Sequence, residues 1–112
     1  MLTSSGKNKG RRLSTRVKEK LLLYRPDIPS GDIKVTCSGE TGPDLQFSDR
    51  ASKEFPFVIE AKNQEKIAIW RALKQLEKHK KSDLQTRLLI FARNHSDDYV
   101  TLKLDDFLKL VM

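Results

Sequence analysis

Hydrophobic positions near the start of the chain recur with the period of a helix. Over residues 12–24, Leu13, Val17 and Leu21 fall on one stripe, and the positions between them are largely polar. Pro26 ends the segment, because the residue before a proline is driven out of the helical region. We therefore predict an opening amphipathic helix that packs one face on a core.

Five later segments either alternate between apolar and polar residues or are apolar along most of their length. Their β-branched and aromatic side chains are typical of strands. The predicted strands are residues 33–37, 45–47, 57–62, 87–92 and 99–103. The third and fourth are the most apolar, which favours central positions that are covered on both faces.

The longest predicted helix covers residues 65–81. Its broad apolar face consists of Ile69, Trp70, Leu73 and Leu76. A second stripe beside that face consists of Ala68, Ala72, Gln75 and His79. The small alanines would let Gln75 approach the sheet near Glu60, and the alternative for Gln75 is an exposed polar residue. His79 has no second ligand at metal-binding spacing, so we interpret it as structural or DNA-facing.

The remaining segments complete the order of the elements. Residues 48–54 are a polar connection with room for a helical turn, and residues 104–111 predict a short closing helix. A helix between the third and fourth strands favours a right-handed crossover and a mixed sheet. We therefore predict an α/β fold with a central mixed sheet of about five strands flanked by helices, in the order αβββαββα.

The charge of the chain is strongly positive and concentrated near its start. A net charge of +7 over 112 residues indicates a polyanionic partner, and we expect DNA. Residues 1–10 are predicted to be a flexible basic tail, and residues 11–112 a single domain. The residues expected to neutralise phosphates are Lys7, Lys9, Arg11, Arg12 and Arg16. The alternative for the tail is a solvated terminus without a ligand.

Cysteine content and hydropathy limit the setting of the protein. The single cysteine, Cys37, excludes an internal disulfide framework and a thiolate zinc site, which favours a reducing, cytoplasmic compartment. Apolar runs fall well short of the ~20 residues that span a bilayer, so we expect no membrane association.

Two carboxylates and an ammonium group are predicted to converge at the end of a strand. Asp44 follows Gly42 and Pro43, and Glu60 and Lys62 end an apolar run. Alternate residues of a strand share a face, so Glu60 and Lys62 point the same way while Ala61 turns into the core. If the strand that carries Asp44 pairs alongside, the carboxylates form a hard-cation site with a basic neighbour. The alternative for Lys62 is a plain salt bridge to Glu60.

The spacing of these residues resembles a known active-site motif. Gly42-Pro43-Asp44 followed by Ile59-Glu60-Ala61-Lys62 is similar to the motif of the PD-(D/E)XK nuclease superfamily. The chain beyond the motif resembles the small phage-type endonucleases that are related to Holliday-junction resolvases. The resemblance implies a restriction-endonuclease-like core, in agreement with the predicted order of the elements.

The resemblance also implies a function and a set of site residues. The expected activity is a Mg²⁺-dependent endodeoxyribonuclease, with Mn²⁺ able to substitute, in which Asp44, Glu60 and the Ala61 main-chain carbonyl hold the metal. Lys62 would position or deprotonate the attacking water or stabilise developing charge. Gln75 matches a glutamine that the superfamily carries on the helix after the motif, and is therefore a candidate catalytic residue.

Glu19 matches an acidic residue that related resolvases contribute from the first helix, so the resemblance adds it to the metal site. Pairing with Arg16 or Lys18 in solvent is the alternative for Glu19. The expected substrate is branched or duplex DNA, cut by a homodimer, and resolvase-like selectivity for DNA structure is one option. A non-catalytic DNA-binding or interaction protein on a nuclease fold is the alternative function.

Overall fold

The structure is a computed structural model that describes residues 4–37 and 40–112, with side chains described from residue 9 onward. Its helices are α1 (Ser4–Tyr24), α2 (Asp49–Glu54), α3 (Ile69–Glu77) and α4 (Leu104–Val111). Its strands are β1 (Ile33–Val35), β2 (Leu45–Phe47), β3 (Phe57–Asn63), β4 (Thr86–Ala92) and β5 (Tyr99–Thr101). A single 3-10 turn at Ser30–Asp32 precedes β1. The predicted α/β class and all five predicted strands are confirmed, and α2 occupies the polar connection.

The described strands form two small sheets, so the predicted single sheet of about five strands is wrong in this respect. β1 and β2 are an antiparallel pair, whereas β3, β4 and β5 form a second sheet in that order. Between the sheets, the Asp44 amide donates to the Ile59 carbonyl at 2.9 Å. Beyond this bond β2 leaves β3, because Ser48 already caps α2 by accepting from the Ala51 amide.

The three-stranded sheet has the mixed topology that the crossover helix predicted. β3 and β4 are parallel, with Glu60 opposite Leu89, and β5 is antiparallel to β4. Successive side chains of β3 therefore alternate between two cores. Ile59 and Ala61 lie in the larger core with α1, whereas Leu89 packs with α3 on the opposite face. Glu60 and Lys62 accordingly emerge on the α3 side.

Helix α1 begins at Ser4, earlier than the predicted start at residue 12. Residues 4–10 thus have helical backbone, where the sequence predicted a flexible tail. The segment contains no proline, and the Lys9 carbonyl accepts a hydrogen bond from Asn63 Nδ2 at 3.4 Å, which ties this turn to the end of β3. Leu13 and Val17 are buried as predicted. Within the described residues, no helix is apolar over enough of its length to cross a membrane.

Helix α3 is shorter than predicted and buries a different set of residues. Ala72 and Leu76 are buried, and Leu73 packs partly against the same small core. Trp70 was predicted to lie on the apolar face, but 81% of its surface is exposed. The reason is its position at the margin of the stripe, where the narrow core is filled by the small Ala72 instead.

Candidate metal centre at the junction of the two sheets

Asp44 lies where the two sheets meet. Its carbonyl accepts from the Thr36 amide at 2.9 Å, which extends the β1–β2 ladder, while its own amide donates to Ile59 of β3. Gly42 has a φ of 112°, in the left-handed region that favours glycine, and this turn directs the chain into Pro43 and Asp44. Two strands therefore fix the backbone that carries the Asp44 carboxylate.

The Asp44 carboxylate reaches the open edge of β3. Its Oδ2 accepts a hydrogen bond from the Ala61 amide at 2.6 Å. A residue in an extended strand points its N–H and C=O toward the same side, so the Ala61 carbonyl faces this edge as well. Within the described residues, Asp44 Oδ1 accepts no hydrogen bond. The arrangement leaves one carboxylate oxygen without a partner in the described part of the chain, on the edge that also presents a main-chain carbonyl, and both are oxygen donors of the kind that hard cations bind.

Glu60 and Lys62 lie on the same face of β3, as the strand period predicted. Lys62 Nζ is 3.8 Å from Glu60 Oε1, and the two side chains are 24% and 13% exposed. At this distance the ammonium group makes a loose ion pair rather than a short hydrogen bond. Glu60 Oε1 is therefore open to a further ligand, and Lys62 stays beside it.

His79 also joins the site. Its Nε2 lies 2.7 Å from Glu60 Oε2, the distance of a hydrogen bond that the imidazole donates to an ionised carboxylate. Arg87 fixes the segment by donating to the His79 carbonyl from Nε at 3.2 Å and from Nη2 at 2.7 Å. The structure thus gives His79 a defined partner at the centre of the site, where the sequence indicated only a structural or DNA-facing residue.

Burial is the largest cause of the pKa shift of Asp44, and the neighbouring charges add to it or oppose it. Loss of solvent raises the pKa of Asp44 to about 6 and outweighs the Ala61 amide, which favours the ionised form. The nearby Glu60 carboxylate raises the pKa further, while Lys62 and His79 lower it. Burial, more than the balance of neighbouring charges, therefore disfavours the ionised form of Asp44.

Gln75 does not reach this cluster, contrary to its predicted role. It lies on the exposed face of α3, and its side chain makes no hydrogen bond to the described residues. The helix ends at Glu77, so His79 follows in the irregular segment and turns back onto the sheet. The stripe that pointed to Gln75 also contained His79. The sequence signal was present, but the end of the helix decided which residue reaches Glu60.

Glu19 is also outside the cluster. It is exposed on α1 and lies in a shallow groove of about 530 Å³ with Arg11, Arg12, Thr15 and Arg16. The groups whose charges act on Asp44 are Glu60, Lys62 and His79. The addition of Glu19 to the metal site is therefore not supported by this arrangement.

The basic residues of α1 that were predicted to bind phosphates have different surroundings. Arg16 binds Asp98 through two hydrogen bonds of 2.9 and 3.2 Å, so its charge is largely used within the fold. Lys9, Arg12 and Arg16 also line a cleft of about 310 Å³, together with Asn63 and residues 93–96. Arg11 lies near Cys37, with its Nη2 3.8 Å from the sulfur. The side chain of Lys7 lies outside the described residues.

The donors that converge suit a hard cation. Two carboxylates and a carbonyl offer only oxygen, which Mg²⁺ and Mn²⁺ prefer, and Mg²⁺ retains several water ligands. Among the residues that the structure describes, no three His, Cys, Asp or Glu side chains already form a metal-binding cluster. The residues present thus fit an ion that takes two protein carboxylates and completes its shell with water.

No family model matches the sequence, and no curated protein or solved structure matches the chain. The function of the site therefore has to be inferred from its residues and their geometry.

Proposed function

We propose that the protein is a metal-dependent DNA endonuclease that hydrolyses phosphodiester bonds. The observation that carries this proposal is the contact of Asp44 with the Ala61 amide at the edge that also bears Glu60 and Lys62. Phosphodiester hydrolysis requires neutralisation of the phosphate and a positioned water, and these groups supply the means for both.

The metal would be held by Asp44, Glu60 and the Ala61 carbonyl. Mg²⁺, with Mn²⁺ as a substitute, would supply Lewis acidity toward a phosphate oxygen when bound. The raised pKa of Asp44 supports this assignment, because a partly buried carboxylate without enough neighbouring positive charge favours an added cation. Asp44 Oδ1 and Glu60 Oε1 are the oxygens that remain available to it.

Two cationic or hydrogen-bonding side chains would assist the reaction. Lys62 lies 3.8 Å from Glu60, from where its ammonium group can orient the attacking water or stabilise charge on the phosphate. His79 is a positioning residue, because its hydrogen bond holds Glu60 Oε2 and leaves Oε1 directed toward Lys62. Both roles depend on Glu60 being ionised.

The DNA backbone would be bound on the side of α1. The cleft between α1 and residues 93–96 gathers Lys9, Arg12 and Arg93 at the end of β3, close in sequence to Lys62, and Arg16 lines it while bound to Asp98. Such cations neutralise phosphates without selecting a sequence, which suits branched or duplex DNA as substrate. Structure-selective cleavage, as in a Holliday-junction resolvase, is the form of the activity that we favour.

Symmetric cleavage of two strands would require a homodimer. Helix α4 has no buried residue, and its Phe107, Leu108, Leu110 and Val111 are exposed together with Tyr99 and Val100 of β5. An exposed apolar surface of this kind suits the interface of a dimer. Sedimentation of the protein with and without branched DNA tests this part of the proposal.

The experiment that tests the function is cleavage of branched, nicked and linear DNA by the wild type, Lys62→Ala and Lys53→Ala. Lys53 is exposed on α2 and serves as a matched control. We expect Mg²⁺- or Mn²⁺-dependent cleavage that Lys62→Ala abolishes while DNA binding is retained and Lys53→Ala has no effect. Cleavage that persists in EDTA, or that survives Lys62→Ala, would contradict the two-carboxylate mechanism.

A non-catalytic DNA-binding protein is the second candidate. It is favoured by the His79 contact, which already occupies one oxygen of Glu60, and by the lack of a preformed three-residue cluster in the described part of the chain. The same substrate panel separates the two candidates. Binding of DNA without cleavage under any metal condition would favour this second function.

A further inference from the structure

The outward face of α3 presents an aromatic side chain among cations. Trp70, the only tryptophan in the chain, is 81% exposed. Arg71, Lys74 and Lys78 are also exposed and follow it at intervals of one, four and eight residues. At 3.6 residues per turn these four side chains fall within one half of the helix surface. We refer to these four residues as the α3 face.

The positive charge of this face is not neutralised by neighbours. Arg71, Lys74 and Lys78 form no ion pair with the residues that the structure describes. Glu77, the acidic residue of α3, falls in the same half of the helix surface, and its Oε1 lies 3.9 Å from Lys103 Nζ. The α3 face therefore keeps a net positive charge beside one large exposed ring.

The topology places α3 beside the candidate metal centre, with the α3 face on the side of the helix opposite the buried Ala72 and Leu76. α3 connects the parallel strands β3 and β4, so it runs antiparallel to them. Trp70, in its first turn, lies toward the end of β3 that carries Lys62, whereas His79 beyond its last turn contacts Glu60. A helix of 9 residues is about 13 Å long, so one DNA strand can follow the face and reach the site.

We propose that the α3 face binds DNA and that Trp70 stacks on an unpaired base next to the bond that is cut. Aromatic rings between cations are the usual means of holding single-stranded nucleic acid, since every base offers a π-face. Protein interfaces are enriched in Trp and Arg but depleted of Lys, whereas this face carries two lysines. Its net positive charge therefore selects a polyanion. The assignment of DNA rests on the proposed function.

A single tryptophan makes the contact directly measurable. We expect intrinsic fluorescence to be quenched when a four-way junction with an unpaired centre, or a single-stranded oligonucleotide, is added in EDTA. A blunt duplex of equal length should bind through its phosphates and quench much less. Trp70→Ala should weaken binding of the single strand by about 5- to 100-fold, as loss of one stacked base does. Trp70→Phe, measured by anisotropy of labelled DNA, should restore most of the affinity.

The control is Leu84→Ala, which removes another large exposed apolar side chain from a turn before β4 and should leave both affinities unchanged. Equal quenching by duplex and single strand, or equal loss of affinity for both in Trp70→Ala, would overturn base stacking. A change of oligomeric state in Trp70→Ala with unchanged DNA affinity would assign the ring to a second copy of the chain and overturn the proposal.

Failure of this inference is distinguishable from failure of the proposed function. If Trp70→Ala binds and cuts branched DNA like the wild type, the stacking assignment is wrong and the nuclease assignment stands. If fluorescence is quenched by unpaired DNA but no DNA is ever cut, the stacking assignment stands and the nuclease assignment is wrong. A protein that binds no DNA of any form overturns both.

Discussion

Two aspartates, Asp44 and Asp98, are surrounded by opposite electrostatic environments. Asp98 is 10% exposed and is bound by Arg16 and by Lys20, whose Nζ lies at 2.7 Å. These partners, Arg16 first, hold its pKa below the usual range despite some loss of solvent. The Asp44 side chain accepts a hydrogen bond only from the Ala61 amide within the described residues, and burial raises its pKa to about 6.

The difference separates a carboxylate that is compensated within the fold from one that the proposed function assigns to a ligand. Asp98 is compensated within the chain and ties the segment before β5 to α1. Asp44 is desolvated by burial and lies beside another carboxylate, so its ionisation opposes folding at neutral pH. Carboxylates with perturbed pKa values cluster at functional sites, so the contrast supports the proposed cation-binding role for Asp44 and not for Asp98.

The largest expected difference between Asp44 and Asp98 is in the rate of catalysis. Asp44→Asn is expected to lower the rate of DNA cleavage by at least about 100-fold, because it removes a charge that holds the metal. Asp98→Asn should stay within a few fold of the wild type, since Asp98 is not among the groups that act on Asp44. Initial rates at saturating Mg²⁺, below the melting temperature of each variant, measure both effects. Similar losses in the two variants would contradict the separation of roles.

For the free energy of unfolding we expect the opposite order, in which substitution of Asp98 is the damaging change. Asp98→Asn leaves Arg16 and Lys20 without their ionised partner and is expected to reduce the free energy of unfolding by about 1–3 kcal/mol at pH 7. Urea denaturation with an unchanged m-value measures the loss. An unchanged midpoint would mean that the pair adds nothing to stability, as for many exposed ion pairs.

Asp44→Asn should stabilise the metal-free protein. The folded state raises the Asp44 pKa from 3.8 to about 6, so it binds the proton more tightly than the unfolded chain does. Stability of the wild type therefore falls as pH rises through this window, and the full penalty applies above it. The variant lacks the penalty, so we expect a gain of up to about 2 kcal/mol at pH 7.5 that disappears below about pH 4.

Urea midpoints of Asp44→Asn and the wild type, compared in EDTA across pH 4 to 8, test whether the Asp44 carboxylate destabilises the folded state. All other titrating groups are shared, so the difference between the two proteins reports Asp44 together with its coupling to Glu60, Lys62 and His79. A difference that grows toward low pH would show that the carboxylate is stabilising in the fold, like Asp98.

The sequence predicted the elements and the central contact because both depend on local periods. Alternation along β3 was enough to place Glu60 and Lys62 together, and Asp44 met that strand as expected. The division into two sheets was not predictable, since it depends on where β2 leaves β3. The exposure of Trp70 and the approach of His79 depend on the width of the core under α3 and on where the helix ends. Tertiary packing decides these features, and the helical period does not.

The environment of Glu60 is intermediate between those of Asp44 and Asp98. His79 hydrogen-bonds one of the Glu60 carboxylate oxygens, and the other oxygen is open. His79→Ala should weaken the apparent affinity for Mg²⁺ in the cleavage reaction by about tenfold, because partners that orient a metal ligand have effects of this order. The maximal rate at saturating Mg²⁺ should change less, since Lys62 remains beside Glu60. His79→Gln, whose amide can donate to the same oxygen, should restore most of the affinity. If the dependence on Mg²⁺ is the same in all three proteins, the hydrogen bond serves the fold alone, and Glu60 then resembles Asp98 more than Asp44.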